Sequence, residues 1–293
     1  MTDFMPTDAA LILAELAADK PRRDTGTSTP DDDRLWLADF RAQTHRLARL
    51  SGPPDPAVGI EHVVGPRGVI LRLYTPRRLK KGVLIHVRGG GGVAGSLDDH
   101  DPALRLLAAE TSRKVIAPDY RLAPSSPFPA QLEDARGALE WALSKPNAFV
   151  EDQPLFISGD SIGGALAAAI AHEDAQTTRA LAGQILMYPN TDLRRDAAWP
   201  SRAKNDGNII DLSDLDRQID LYLGQTPRDD PRASPLLVDT LRRGVEAFIV
   251  TCGLDPLEDE ALAFISRLKQ MKTRSEETMT LLSALTGWLD TKS

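Results

Sequence analysis

Short apolar runs alternate with longer amphipathic stretches through most of this chain. Gly82–Val87, Lys114–Ala117, Leu155–Ser158, Gly183–Met187 and Ala247–Thr251 are too short for helices and largely apolar, as strands covered on both faces are. Between them, Pro102–Glu110, Phe128–Leu143, Leu212–Leu223 and Glu258–Met271 read as helices. Strands alternating with helices in this way imply right-handed crossovers and a parallel sheet with helices on both faces. Ahead of that core, Ile60–Val64 and Val69–Tyr74 alternate around Gly65-Pro66-Arg67-Gly68, the pattern of a hairpin. The N-terminal region predicts two helices. Residues 5–18 bring Leu11, Leu13, Leu16 and Ala17 to one face, and a helix opening on Asp31–Asp33 carries Leu35, Trp36, Phe40, Leu47 and Leu50. The polar stretch Pro21–Pro30 separates them, and the Pro/Gly cluster Ser51–Pro56 ends the second.

The most informative stretch is Pro154–Gly164. A short apolar run feeds Gly159-Asp160-Ser161-Ile162-Gly163, and an alanine-rich segment follows. Strand, Gly-x-Ser-x-Gly turn and close-packed helix form a nucleophile elbow, which lifts a serine hydroxyl off the end of a parallel sheet. Gly159 and Gly163 are required because a side chain at either would strike the neighbouring strand or helix. The amide of Ile162, opening the helix, points where an oxyanion would form. The plainer alternative is a glycine-rich strand-to-helix turn with Ser161 as N-cap.

Composition narrows the function classes. The 293 residues suffice for one large α/β domain, and 26% charged with 42% hydrophobic residues is ordinary for a globular protein. A net charge of -7 with scattered basic residues argues against nucleic acid or an anionic membrane as partner. One cysteine, Cys252, excludes a disulfide framework and a zinc cluster. No signal-peptide pattern opens the chain and no apolar run approaches a membrane span, so a cytoplasmic location is expected. With no phosphate loop, dinucleotide fingerprint or metal-ligand cluster, no cofactor is expected either. A homodimer is left open.

Five stretches in order resemble the hormone-sensitive-lipase-like branch of the α/β-hydrolase fold, which includes many bacterial carboxylesterases. They are Gly95–Asp101, Asp119-Tyr120-Arg121-Leu122-Ala123-Pro124, Phe128-Pro129-Ala130, Gly159–Gly164 and Asp255-Pro256-Leu257-Glu258-Asp259-Glu260. The resemblance covers roughly residues 58–271 and implies a mostly parallel twisted sheet, helices on both faces and a helical cap. In that reading residues 57–191 and 226–293 form the hydrolase core, while residues 1–56 and the insertion 192–225 build the cap. Ser161 matches the nucleophile and Asp255 the acid that orients a histidine. Gly89 and Gly90 match the oxyanion-loop glycines, assisted by Ile162. Asp255 also suits the N-cap of the helix at Glu258, and both roles are compatible.

Two departures stand against this agreement. The oxyanion motif of the family begins His-Gly-Gly-Gly, and here Arg88 precedes Gly89-Gly90-Gly91. A permanent cation thus replaces a small titratable ring, either to bind substrate together with Asp160 or to pair with Asp119 or Asp160. His86, inside its strand, reads as a satisfied strand histidine. The family histidine follows the strand after the Asp255 helix, yet the five histidines are His45, His62, His86, His100 and His172. Either Thr286-Gly287-Trp288 occupies the histidine position, or Glu276–Leu289 is a final helix burying Met279, Leu282, Leu285, Trp288 and Leu289; periodicity favours the helix. The implied chemistry is hydrolysis of a small ester at a weakened site, or elimination, cyclisation or C–C bond formation through an enolate. A third alternative is a receptor for a small ligand.

Overall fold

The computed structural model describes residues 29–48, 51–144, 153–208, 210–239, 244–270, 275–277, 285 and 288–292. The expected helix over 5–18, residues 21–28 of the breaker after it, Leu50 and Thr286 lie outside these residues.

Eight strands form one sheet in the order β1-β2-β4-β3-β5-β6-β7-β8. They are β1 Gly59–Val64, β2 Ile70–Thr75, β3 Val83–Val87, β4 Lys114–Pro118, β5 Leu155–Asp160, β6 Leu181–Met187, β7 Ala247–Val250 and β8 Ser275–Glu277. β1 and β2 make the expected antiparallel hairpin, β2 meets β4 antiparallel, and every other pairing is parallel. The helices are α1 Pro30–Ala48, α2 Asp101–Thr111, α3 Ala130–Leu143, α4 Ile162–Gln176, α5 Pro200–Lys204, α6 Leu212–Leu223 and α7 Glu258–Gln270.

The two-residue alternation of a strand divides the core. Val83, Ile85 and Val87 join Ile157, Leu166 and Ile170 on the face covered by α3 and α4. Leu84, Phe156, Ile185 and Phe248 meet Leu104 and Leu107 of α2 with Leu285 and Trp288 on the other. By the same alternation His86, Ser158, Asp160 and Met187 belong to the α2 face, and the register pairs His86 with Ser158 and Asp160 with Met187.

The C-terminus departs from the reading that favoured one helix over Glu276–Leu289. Ser275–Glu277 is a strand paired with β7, and helical backbone occurs at Leu285 and Trp288–Asp290. Of the five apolar positions expected to be buried there, Leu285, Trp288 and Leu289 are in the core, and Met279 and Leu282 lie outside the described residues. The short helix α5 falls within the insertion 192–225. Among the described residues no helix is long and apolar enough to cross a membrane.

α1 and α6 meet over the glycine tract. Trp36 Nε1 donates to Asp214 Oδ1 at 2.8 Å, and Arg217 Nε donates to Asp33 Oδ1 at 2.7 Å. Arg41 of α1 donates to the carbonyls of Val93 and Ala123. From α6, Gln218 and Tyr222 pack so tightly on Gly91 and Gly92 that a Cβ at either glycine would lie 2.3 Å or 2.2 Å from them.

Candidate active site

The site is built largely from backbone at the C-terminal ends of β3, β5, β6 and β7, where open α/β sheets place their chemistry. Ser161 joins β5 to α4 with φ 54° and ψ -124°, a strained conformation for a residue with a side chain. Its amide donates to Met187 O at 2.9 Å, and its carbonyl accepts from Gly164 and Asn190. A Cβ on Gly159 would lie 2.2 Å from Gly163 O, and one on Gly163 would lie 2.1 Å from Val87 O. Both glycines are therefore steric requirements of the turn. None of the five histidines has a ring nitrogen within hydrogen-bond distance of the Ser161 hydroxyl.

The glycine loop after β3 is folded on itself. Gly90 sits at φ 107°, its carbonyl accepts from the amides of Val93 and Ala94, and a Cβ there would lie 2.2 Å from Ala94 O. The amides of Gly90 and Ile162 have no acceptor among the described residues. The Gly89 amide differs from its expected role: it donates to Asp160 Oδ1 at 2.9 Å and so turns away from any oxyanion.

Arg88 also takes a different place from the one expected of a substrate-binding cation. Its side chain is fully buried, and Nη1 donates to Gly89 O (3.2 Å), Ala94 O (2.8 Å) and Tyr120 Oη (3.2 Å). The guanidinium carbon lies 4.1 Å from the centroid of the Tyr120 ring. Among the described residues no carboxylate pairs with it, neither Asp119 nor Asp160. Nη1 is committed to the loop that follows it and to Tyr120, while Nε is buried without a hydrogen-bond partner among the described residues.

Asp160, read as substrate-binding, is held from two sides. Its Oδ1 accepts from Gly89 and lies 3.3 Å from His86 Nε2, while His86 Nδ1 lies 3.0 Å from Ser158 Oγ. His86 is thus hydrogen-bonded within the sheet, as expected. Asp160 Oδ2 lies 4.0 Å from His100 Nε2. Burial works against the charge of Asp160, but the hydrogen bond from His86 and the nearby His100 outweigh it and hold the carboxyl below the usual range.

Asp255 begins the turn into α7. Its Oδ1 accepts from Leu257 N at 2.9 Å, and burial, against that hydrogen bond, pushes its carboxyl up to about 6. Tyr188, at φ 38°, lies near both acids: the charge of Asp160, then burial, then more weakly Cys252 and Asp255, raise its phenol above the ordinary value. In the sequence Tyr120 stands out only as part of the Asp119–Pro124 stretch and Tyr188 not at all, since neither role follows from local spacing. A carboxyl whose folded pKa exceeds its unfolded one favours the folded state below pH 3.8, and that support is lost as pH rises through about 6. Asp255→Asn keeps the acceptor for Leu257 N and removes the buried charge. It should therefore stabilise the protein by about 3 kcal/mol at pH 8 and by almost nothing at pH 3.5, as urea titrations at the two pH values would reveal.

Beside the elbow, on the α2 face, lies a cavity of about 550 Å³. α1 contributes Thr44 and Leu47, α2 contributes Leu104 and Leu107, and His86, His100, Asp160, Met187 and Tyr188 close the sheet side. No cluster of three or more metal-ligating side chains occurs among the described residues.

The family model of the α/β-hydrolase fold matches residues 84–280. The chain belongs to the α/β-hydrolase family. It is 34% identical over 238 residues to esterase LipI of Mycobacterium tuberculosis, with 76% of the chain and 72% of that relative covered. It is 35% identical over 211 residues to the ethyl acetate hydrolase of Pseudomonas putida, covering 68% of the chain but 65% of the relative. Its span of the carboxylic ester hydrolase LipN of Mycobacterium tuberculosis is also 65%. Among solved structures, a hyperthermophilic esterase from the archaeon Pyrobaculum calidifontis superposes with a TM-score of 0.80 at 26% identity, covering 97% of this chain and 92% of that one. The relatives support the carboxylesterase branch anticipated from the five sequence stretches.

Proposed function

We propose that this chain is a carboxylesterase-like enzyme that attacks a small ester or related carbonyl compound with Ser161, at a triad lacking its histidine. The observation that carries the reading is the pairing of a strained, presented serine with two unspent amides, those of Gly90 and Ile162, at the adjoining loop and helix start. α1 and α6 act as the cap over this site. Arg88 is a positioning residue that fixes the loop, and Gly89 serves the oxyanion hole through the chain direction its Asp160 bond imposes.

Loss of the general base of a serine triad costs on the order of 10⁶ in turnover, about 8 kcal/mol of barrier. The reading therefore predicts slow chemistry. A fluorophosphonate should label wild type at one site per chain, Ser161→Ala should remain unlabelled, and p-nitrophenyl acetate should turn over far more slowly than with a complete triad. Absence of both labelling and turnover in the folded wild type would refute it.

A second reading is favoured by the lack of any imidazole at the Ser161 hydroxyl. The same two amides can hold an enolate, and Asp255, with its raised pKa, can carry the proton in an elimination, cyclisation or C–C bond-forming step. Activity on a carbonyl substrate that survives Ser161→Ala and disappears in Asp255→Asn would select it over hydrolysis.

A further inference from the structure

We propose that the cavity on the α2 face binds a primary amine carried on a small apolar body, with its ammonium held between Asp160 Oδ2 and His100 Nε2. The inference goes beyond the hydrolase reading and does not depend on Ser161 reacting.

The His100 ring lines this cavity. Its Nδ1 lies 3.2 Å from Ser96 O, and a carbonyl can only accept, so Nδ1 carries the ring proton. Burial, reinforced by the nearby charges of Arg88 and His86 and opposed by Asp160, lowers the pKa of this ring. At neutral pH it is uncharged, and Nε2 is a bare acceptor. Asp160 Oδ2, 4.0 Å away, is a second acceptor, because Gly89 and His86 engage only Oδ1. Neither Nε2 nor Oδ2 has a hydrogen-bond donor among the described residues, and both residues line the cavity.

Two acceptors 4.0 Å apart define their complement. One atom can stand about 2.8 Å from both, provided it bears at least two hydrogens. A hydroxyl has a single hydrogen and satisfies one acceptor; an amine nitrogen satisfies both. The ionised carboxylate then favours the ammonium over a neutral amide. Arg88 does not compete for this role, since its Nη1 is committed to Gly89, Ala94 and Tyr120. Leu47, Leu104, Leu107 and Met187 supply apolar walls, and about 550 Å³ accommodates a body of phenylalkyl size.

Calorimetric titration of the full chain with 2-phenylethylamine and with 2-phenylethanol tests this. At pH 8 the amine should bind about tenfold more tightly than the alcohol, the value of a second, charge-assisted hydrogen bond. His100→Phe keeps a ring and removes the acceptor, and should lose the preference for the amine. Ala103→Trp, from an exposed position of α2, should close the cavity to both compounds. Equal affinities for amine and alcohol, a preference for the amine that survives His100→Phe, or no binding by the folded wild type would each overturn the proposal. Fluorophosphonate labelling of Ser161, measured on the same preparation, reports separately on the hydrolase reading.

Discussion

One methyl group at position 163 is expected to dismantle the elbow: Gly163→Ala should lose about 4 kcal/mol or more of folding stability, and Ser161 reactivity with it. The new Cβ would stand 2.1 Å from Val87 O, 2.4 Å from Arg88 O and 2.7 Å from the Arg88 carbonyl carbon. These are backbone atoms that no rotamer change can move. Relief requires α4 to withdraw from β3, yet Ala165, Leu166, Ala167 and Ile170 of that helix are all buried against the sheet. Small side chains let helix and sheet approach closely, so a displacement opens voids along the helix. Urea unfolding followed by circular dichroism should show the loss, and a midpoint equal to that of wild type would disprove this account of the elbow.

The second large effect is expected at Arg88. Arg88→Met retains most of the buried aliphatic volume but removes the donors, leaving the carbonyl of Ala94 without the bond it accepts at 2.8 Å. The contact over Tyr120 goes too. Unsatisfied buried groups cost about 1–3 kcal/mol each, so a total near 3 kcal/mol is expected, or about 6–12 °C in Tm for a chain of this size. Arg88→Lys keeps the charge as a single point that cannot hold three acceptors and stack on a ring, and should fall between the two. Differential scanning calorimetry would rank the three proteins. If the methionine variant melts with wild type, the guanidinium does not support the loop.

These two positions show how unevenly the sequence discloses the site. Gly159 and Gly163 are legible because their requirement is steric and local to the turn. The buried strands are equally legible, since an apolar run as short as Val83–Val87 between polar breaks has few alternatives. Helix α3 begins at Ala130 and not Phe128, because Pro129 precedes it and the Phe128 amide is drawn away to Tyr222 O. What local pattern cannot carry is direction. Whether Arg88 faces substrate or its own loop depends on Tyr120, 32 residues on, and the Gly89 amide is turned by Asp160, 71 residues on. His100 caps the start of α2, and its approach to Asp160 follows only from how α2 lies on the sheet. At the C-terminus, apolar spacing identified Leu285, Trp288 and Leu289 as buried but missed that Ser275–Glu277 finds an open sheet edge beside β7, a tertiary opportunity that outweighs helical periodicity.

The reach of Arg88 has an evolutionary corollary. Its guanidinium bridges the end of β3 to a carbonyl six positions later, a span that an imidazole cannot cover. Exchanging it for histidine in one step would strand that acceptor inside the protein before any new benefit accrued. A lineage leaving this arrangement must first alter the loop or Tyr120, so the order of substitutions is constrained and the present residue is entrenched.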